Sequence, residues 1–262
     1  MKLKKLAWLL IAAALVLPLA SCPKKPTECR NKQYESVMKE EAVTLYNRGD
    51  YIGALRSAKE AESCKPKDAE LYYWMGLIYF KREKPQDAIA YLKKSLSIDP
   101  KYTESRLALG VVYLSLEMWD DAIAQFQAAA DDDLFSRPWE AYNNLGWAYM
   151  QKGDLDSAAE NLTRAIHLNP KYCPAYCNQG ELYAKQGQSK KAMDSYLKAI
   201  SLCPDGFARP HFLLAIEYGK LKYYQQACSE LTAAARVTGA PEAESAIEYM
   251  HLYGCPVQFT GQ

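Results

Sequence analysis

The side chains best suited to chemistry in this 262-residue chain are its cysteines. There are eight of them: Cys22, Cys29, Cys64, Cys173, Cys177, Cys203, Cys228 and Cys255. A thiol can carry a lipid, form a disulfide or bind a soft metal ion. Cys173, Cys177 and Cys203 are the candidates for a thiolate metal site, although the chain has no CxxC pair, the spacing that many zinc sites use. Which of these modifications a cysteine undergoes depends on the cellular compartment, and the N-terminal sequence indicates that compartment.

The N-terminal residues MKLKKLAWLLIAAALVLPLASC have the organisation of a secretory signal. Three lysines precede an apolar run from Leu6 to Leu17, and small residues follow it. Because the run is shorter than the roughly 20 residues of a membrane-spanning helix, we predict a signal peptide over residues 1–21 rather than a permanent anchor. Export leads to an oxidising compartment, which favours disulfides over thiolate metal sites. We therefore expect no metal and no cofactor.

The last residues of this signal, Leu19-Ala20-Ser21-Cys22, resemble a bacterial lipobox. The resemblance implies cleavage before Cys22, a diacylglyceryl thioether on its sulfur and an acylated amino group. Several acyl chains together anchor a protein stably. Pro23 stands where inner-membrane lipoproteins typically have aspartate, so the resemblance also implies an outer-membrane lipoprotein that faces the periplasm. We predict a lipidated tether over residues 22–34.

The remaining polar residues do not form a recognisable catalytic set. His167, His211 and His251 are far apart, no Ser/His/Asp or Cys/His arrangement can be named, and no glycine-rich phosphate loop occurs. After removal of residues 1–21 the chain carries 29 basic and 31 acidic residues, which gives no electrostatic footprint for nucleic acid. A hydrophobic fraction of 49% excludes wholesale disorder. We expect a folded protein that is not an enzyme.

The elements that position these residues are clearest in the stretch WEAYNNLGWAYMQKGDLDSAAENLTRAIHLNP, from Trp139 to Pro170. It predicts helices over about Trp139–Lys152 and Asp156–Leu168, separated by a Gly-Asp turn. Gly146 and Ala158 are small residues at the predicted crossing of the two helices. The order and spacing resemble the tetratricopeptide repeat, a helix–turn–helix unit of 34 residues.

The small residues of this unit recur along the chain. The first-helix marker recurs at Ala42, Gly76, Gly110, Gly146, Gly180 and Ala215, and the second-helix alanine at Ala54, Ala88, Ala122, Ala158, Ala192 and Ala227. Both series have successive intervals of 34, 34, 36, 34 and 35 residues. We predict an all-α, right-handed superhelical solenoid of six tetratricopeptide repeats over residues 35–241. Residues 242–262 are predicted to form a capping helix and tail, because a solenoid must cover its last apolar face.

The resemblance to tetratricopeptide repeats implies that the first helix of each unit lines a concave face. Carrying the family's groove positions over to repeats 2 to 4 predicts a partner groove formed by Tyr73, Leu77, Phe80, Leu107, Val111, Leu114, Asn143, Trp147 and Met150. An apolar surface of this extent favours a partner that presents an extended or helical apolar segment. The alternative is that these residues pack against neighbouring helices or against the chain's own N-terminal segment. Asn144 and Asn178 suggest carboxylate capture, but few basic residues accompany them.

The repeat geometry also brings cysteines together. Cys29 and Cys64 are predicted to meet at one end of repeat 1, and Cys228 and Cys255 at the start of the second helix of repeat 6. Cys203 can pair with either Cys173 or Cys177, which leaves the other one free. Each disulfide would stabilise its helix pair by roughly 2–4 kcal/mol.

The lipobox, the six repeats and the lengthened third repeat, DDDLFSRPWEAYNNLG, together resemble the pilotin lipoproteins of type IV pilus systems. The resemblance covers Cys22 to about Pro241. It implies a secretin subunit as partner, delivery of that subunit to the outer membrane, and promotion of ring assembly. The chain departs from the family at Leu109-Gly110, where members commonly have Tyr-Gly, and in its cysteine-rich C-terminal half. The alternative is an outer-membrane scaffold for cell-wall hydrolases or β-barrel assembly factors.

Overall fold

The computed structural model describes residues 32–204 and 206–256. The predicted signal peptide, the lipidation site Cys22, Cys29 and the tail from residue 257 lie outside these residues. The described part of the chain contains thirteen α-helices and no strand. They are α1 (Lys32–Asn47), α2 (Tyr51–Cys64), α3 (Ala69–Lys81), α4 (Pro85–Ile98), α5 (Thr103–Ser115), α6 (Trp119–Ala130), α7 (Pro138–Lys152), α8 (Leu155–Leu168), α9 (Cys173–Lys185), α10 (Ser189–Leu202), α11 (Ala208–Lys220), α12 (Tyr224–Ala235) and α13 (Pro241–Leu252).

The helices form six consecutive hairpins, each of which contacts the next. Within a hairpin an odd-numbered helix packs on the even-numbered helix that follows it, and successive odd-numbered helices also contact one another. Helix α13 packs against α12 and α11 at the C-terminal end. The predicted all-α solenoid of six repeats is confirmed.

The turn inside each hairpin uses one residue in the left-handed region of backbone conformation. This position recurs at Gly49, Glu83, Glu117, Gly153, Gly187 and Lys222. Glycine adopts the conformation without a steric penalty, whereas in glutamate and lysine the Cβ atom comes too close to the following carbonyl oxygen, which is destabilising. In repeats 1 and 4 an aspartate follows and caps the second helix: Asp50 accepts a hydrogen bond from the Gly53 amide, and Asp154 accepts one from the Ser157 amide.

The first-helix glycines lie where a larger residue would collide with the second helix. A Cβ atom on Gly146 would lie 2.6 Å from Leu162 Cγ and 3.2 Å from the Ala158 carbonyl oxygen. A Cβ atom on Gly110 would lie 2.8 Å from Phe126 Cδ1. Such distances are shorter than van der Waals contact, so the two helices can approach this closely only with glycine at these positions.

The structure pairs Cys173 with Cys203 and Cys228 with Cys255, with Cα–Cα distances of 6.1 and 5.4 Å. Of the two alternatives left open for Cys203, the structure therefore selects Cys173. Cys177 is a free, buried thiol, and burial raises its pKa to about 12. Cys64 is also in a disulfide, and its predicted partner, Cys29, lies outside the described residues.

A candidate partner-binding groove

Six of the nine predicted groove residues remain at least partly accessible in the structure. Val111 is 39% exposed, and the other five are half-buried: Tyr73, Leu77, Phe80, Leu114 and Trp147. We call these six residues the apolar groove. They come from α3, α5 and α7, the first helices of repeats 2 to 4, and they are held in place because these helices contact one another in sequence.

The prediction is wrong for Leu107, Asn143 and Met150, which are buried. Leu107 belongs to the large hydrophobic core of the N-terminal repeats. Met150 packs in a smaller cluster with Leu162 and Leu182. The physical reason is that each first helix also packs against the first helix of the next repeat, and this contact covers the residues that face along the solenoid axis.

Asn143 has a structural role of its own. Its Oδ1 accepts a hydrogen bond of 2.8 Å from Nδ2 of Asn178, and both side chains are buried. Asn143 Nδ2 in turn donates to Asn144 Oδ1 at 3.3 Å. Buried amides need such partners, so Asn143 and Asn178 join repeats 4 and 5 and are not available to grip a ligand.

An aromatic row leads into the groove from the N-terminal side. The Tyr46 ring lies 5.6 Å from Trp74, which lies 5.3 Å from Tyr73, which lies 5.5 Å from Tyr102. Edge-on packing at these distances is favourable. Burial raises the pKa of Tyr73 to about 12, with a further contribution from Glu104. The sequence offers Tyr46, Trp74 and Tyr102 only as three of many aromatic residues, and their alignment depends on three successive repeats.

The acidic residues at the edge of the groove are paired with basic ones. Lys39 Nζ lies 2.6 Å from Glu70, and Arg137 lies 3.9 Å from Glu104 and 3.1 Å from Glu140. Burial raises the pKa of Glu140, and Arg137 opposes that effect. Exposed pairs of this kind contribute little to stability. They leave the apolar residues as the main feature of the groove.

The groove ends at Trp147, where a cation from a distant repeat covers the indole ring. The guanidinium carbon of Arg209, on α11, lies 4.4 Å from the ring centroid of Trp147, on α7. The same guanidinium forms an ion pair of 2.5 Å with Glu181 on α9. A cation over an indole face is attracted by the ring's electrons. Arg209 therefore connects repeats 4, 5 and 6 across the concave face.

Among residues 32–204 and 206–256, no cluster of three or more His, Cys, Asp or Glu side chains has the arrangement of a metal site. His211 Nδ1 lies 2.6 Å from Glu230 Oε2. Within the same residues, no helix combines the length and apolar character that crossing a membrane requires. The chemistry available at the groove is apolar contact, aromatic stacking and hydrogen bonding, which are the means of binding a polypeptide.

Comparison with known proteins identifies the class of this protein. Tetratricopeptide-repeat models match residues 69–102, 107–172 and 173–205. Together with the six hairpins, these matches establish that the chain is a tetratricopeptide-repeat protein.

Several solved structures are similar to it. The crystal structure of PilW, described as a widely conserved type IV pilus biogenesis factor, superposes with a TM-score of 0.70 at 21% identity, over 83% of this chain and 100% of that one. PilF of Pseudomonas aeruginosa superposes with a TM-score of 0.65 at 16% identity, over 83% and 98% of the two chains. At these identities the likeness establishes the fold.

Among curated proteins, the photosystem I assembly protein Ycf3 of Prochlorococcus marinus (strain MIT 9211) is 33% identical over 26% of this chain and 47% of its own length. The BBSome complex member BBS4 of Bos taurus is 31% identical over 37% of this chain and 18% of its own length. The chain thus spans less than half the length of these curated relatives. The name of Ycf3 describes an assembly protein, and the name of BBS4 describes a member of a complex.

Proposed function

We propose that the protein is a lipid-anchored periplasmic scaffold that acts as a pilotin, promoting outer-membrane targeting and assembly of a type IV pilus secretin. The observation that carries the proposal is the superposition on PilW over the whole of that chain, extending across most of this one. The lipobox at Cys22 supplies the proposed means of targeting. The apolar groove supplies the proposed means of binding.

The proposed contact is an apolar segment of a secretin subunit laid along α3, α5 and α7. Val111 lies on α5, the middle helix of the three, with Tyr73 and Leu77 on α3 to one side and Trp147 on α7 to the other. Burying an apolar side chain that is partly exposed in the free protein is favourable by about 25 cal/mol per Å². The paired charges at the edge of the groove determine the register of the bound segment more than they strengthen its binding.

The direct test is capture of the secretin subunit from a detergent extract. The variant Leu77→Glu/Val111→Glu places two charges in the groove, and we expect it to lose secretin capture because the charges would have to be desolvated. The matched control is Leu197→Glu on α10, where the wild-type leucine is 44% exposed and lies on a second helix away from the groove. Equal capture by the groove variant and wild type would show that the groove is not the binding site.

The targeting half of the proposal has a separate test. Cys22→Ala removes the acyl acceptor, and we expect the protein to move from the outer-membrane fraction to the soluble periplasm. A deletion strain should lose heat-resistant secretin multimers on a gel, while secretin monomer persists. Normal multimers in the deletion strain would overturn the pilotin role. Capture of cell-wall hydrolases by the wild-type protein, instead of the secretin subunit, would favour the alternative scaffold.

A further inference from the structure

A cavity lies outside the apolar groove, between the first helices of repeats 5 and 6. Its volume is about 250 Å³, and the residues that line it include Glu181, Lys185, Tyr196, Ile216, Glu217 and Lys220. This is below the size of a typical small-molecule site. It is suited to a single side chain.

The cavity contains a carboxylate that is not satisfied by the protein. Glu217 is 2% exposed, and its Oε1 accepts a hydrogen bond from Lys220 Nζ at 2.5 Å. Its other oxygen, Oε2, is buried and has no hydrogen-bond partner. Buried polar atoms without partners are rare in folded proteins and call for a physical explanation.

A second carboxylate in the cavity already has a partner. Glu181 Oε1 is buried, and Arg209 Nη2 lies 2.5 Å from it in an ion pair. That guanidinium is shared with the indole of Trp147, over which it is stacked. Glu181 is on α9 and Glu217 is on α11, so the two oxygens reach the cavity from two different repeats.

The cations around the cavity differ from the carboxylates in their exposure. Lys185 is exposed, and the Lys220 side chain is 54% exposed. Water and salt screen such rim charges far more than buried ones. The buried oxygen Glu217 Oε2 therefore still lacks a donor, and a positively charged donor gains most next to a buried carboxylate.

We propose that this cavity is a subsite for an arginine side chain of a bound polypeptide, whose guanidinium donates a hydrogen bond to Glu217 Oε2 while Glu181 stays paired with Arg209. Guanidinium always carries its charge and has five N–H donors, so it can supply the donor that this buried oxygen lacks. The subsite is separate from the apolar groove. Its occupancy does not depend on whether the polypeptide is a secretin.

The test uses the full chain in detergent and two small probes, acetyl-argininamide and acetyl-citrullinamide. Citrulline has nearly the shape and donors of arginine but no charge. In ¹H–¹⁵N spectra we expect the arginine probe to shift the amides of Glu181, Lys185 and Glu217, and the citrulline probe to bind at least about tenfold more weakly. Equal binding of the two probes, or shifts elsewhere in the chain only, would overturn the proposal.

Variants provide the second arm of the test. Glu217→Gln should weaken binding of the arginine probe by at least about tenfold, whereas Glu160→Gln, at an exposed position on α8, should bind as wild type does. A thermal melt accompanies each variant. If Glu217→Gln does not fold, Ile216→Phe, which narrows the cavity, carries the same expectation. Undiminished binding by the folded variant would contradict the assignment, whatever the outcome of the secretin capture.

Discussion

One large cluster of buried side chains runs from Ala42 to Ala175. Toward the C-terminus the buried residues fall into separate, smaller clusters, one of which begins in repeat 4 with Met150, Ala158 and Leu162. There the disulfides Cys173–Cys203 and Cys228–Cys255 each link neighbouring helices. Because each unit of a solenoid contacts mainly its neighbours, the two regions can differ in how they are stabilised. Cys64 on α2 is also disulfide-bonded, so what separates the two regions is the continuous cluster of the first and the divided clusters of the second.

The concave face divides along the same boundary. Repeats 2 to 4 present apolar and aromatic side chains, while repeats 5 and 6 present buried carboxylates and the cation Arg209. Among the described residues, no side chain of the apolar groove has a buried polar atom without a partner, whereas the cavity between α9 and α11 keeps one, Glu217 Oε2.

The largest expected effect is on the continuous core. Phe126 is fully buried under Gly110, and Phe126→Ala should lower the free energy of unfolding by about 3–5 kcal/mol. Urea denaturation measures the loss, and hydrogen exchange locates it: we expect α3 to α8 to lose protection together. Loss confined to α5 and α6 would show that the N-terminal repeats are not one cooperative unit.

The next effect concerns the disulfides. Replacing Cys173 and Cys203 by alanine should destabilise the C-terminal repeats by about 2–4 kcal/mol, because the unfolded chain is no longer constrained. Hydrogen exchange should accelerate in α9 and α10 and remain unchanged in α3 to α6. Uniform acceleration along the chain would erase the distinction between the two regions.

A smaller effect is expected at the boundary. Arg209→Met removes the cation that lies on Trp147 and beside Glu181, and leaves the Glu181 carboxylate without its counter-charge, at a cost of about 1–3 kcal/mol. Lowering the pH should relieve part of this cost, because burial already raises the pKa of Glu181 and protonation removes the uncompensated charge. Thermal melts at two pH values measure this, with Arg209→Lys as control. A pH-independent loss would mean that stacking alone matters.

The smallest expected effect is the reactivity of Cys177. Its side chain is 1% exposed, and burial raises its pKa to about 12, so almost no reactive thiolate forms at pH 8. We expect no alkylation of Cys177 in the native protein and complete alkylation after unfolding without reductant, as mapped by mass spectrometry. Rapid native labelling would indicate that repeat 5 opens readily despite its disulfide.

The features that repeat along the chain could be predicted from the sequence, and those that depend on distant residues could not. The recurrence of Gly146 and Ala158 equivalents was sufficient for the six hairpins, because each hairpin is determined locally. The burial of Leu107 and Met150 was not predictable in this way, since it depends on how closely neighbouring first helices approach. Arg209 covers Trp147 from two repeats away, a contact that no local pattern encodes. The choice of Cys173 over Cys177 likewise depended on the position of Cys203 at the end of α10.

The central claim is that the apolar groove of repeats 2 to 4 receives the partner, and site-specific photo-crosslinking tests it most directly. A photoreactive phenylalanine analogue is placed at Val111 in the groove and, as control, at Leu197 on a second helix, and the cells are irradiated. We predict that the Val111 position crosslinks to a secretin subunit and that the Leu197 position does not. Crosslinking from Leu197 alone would contradict the account.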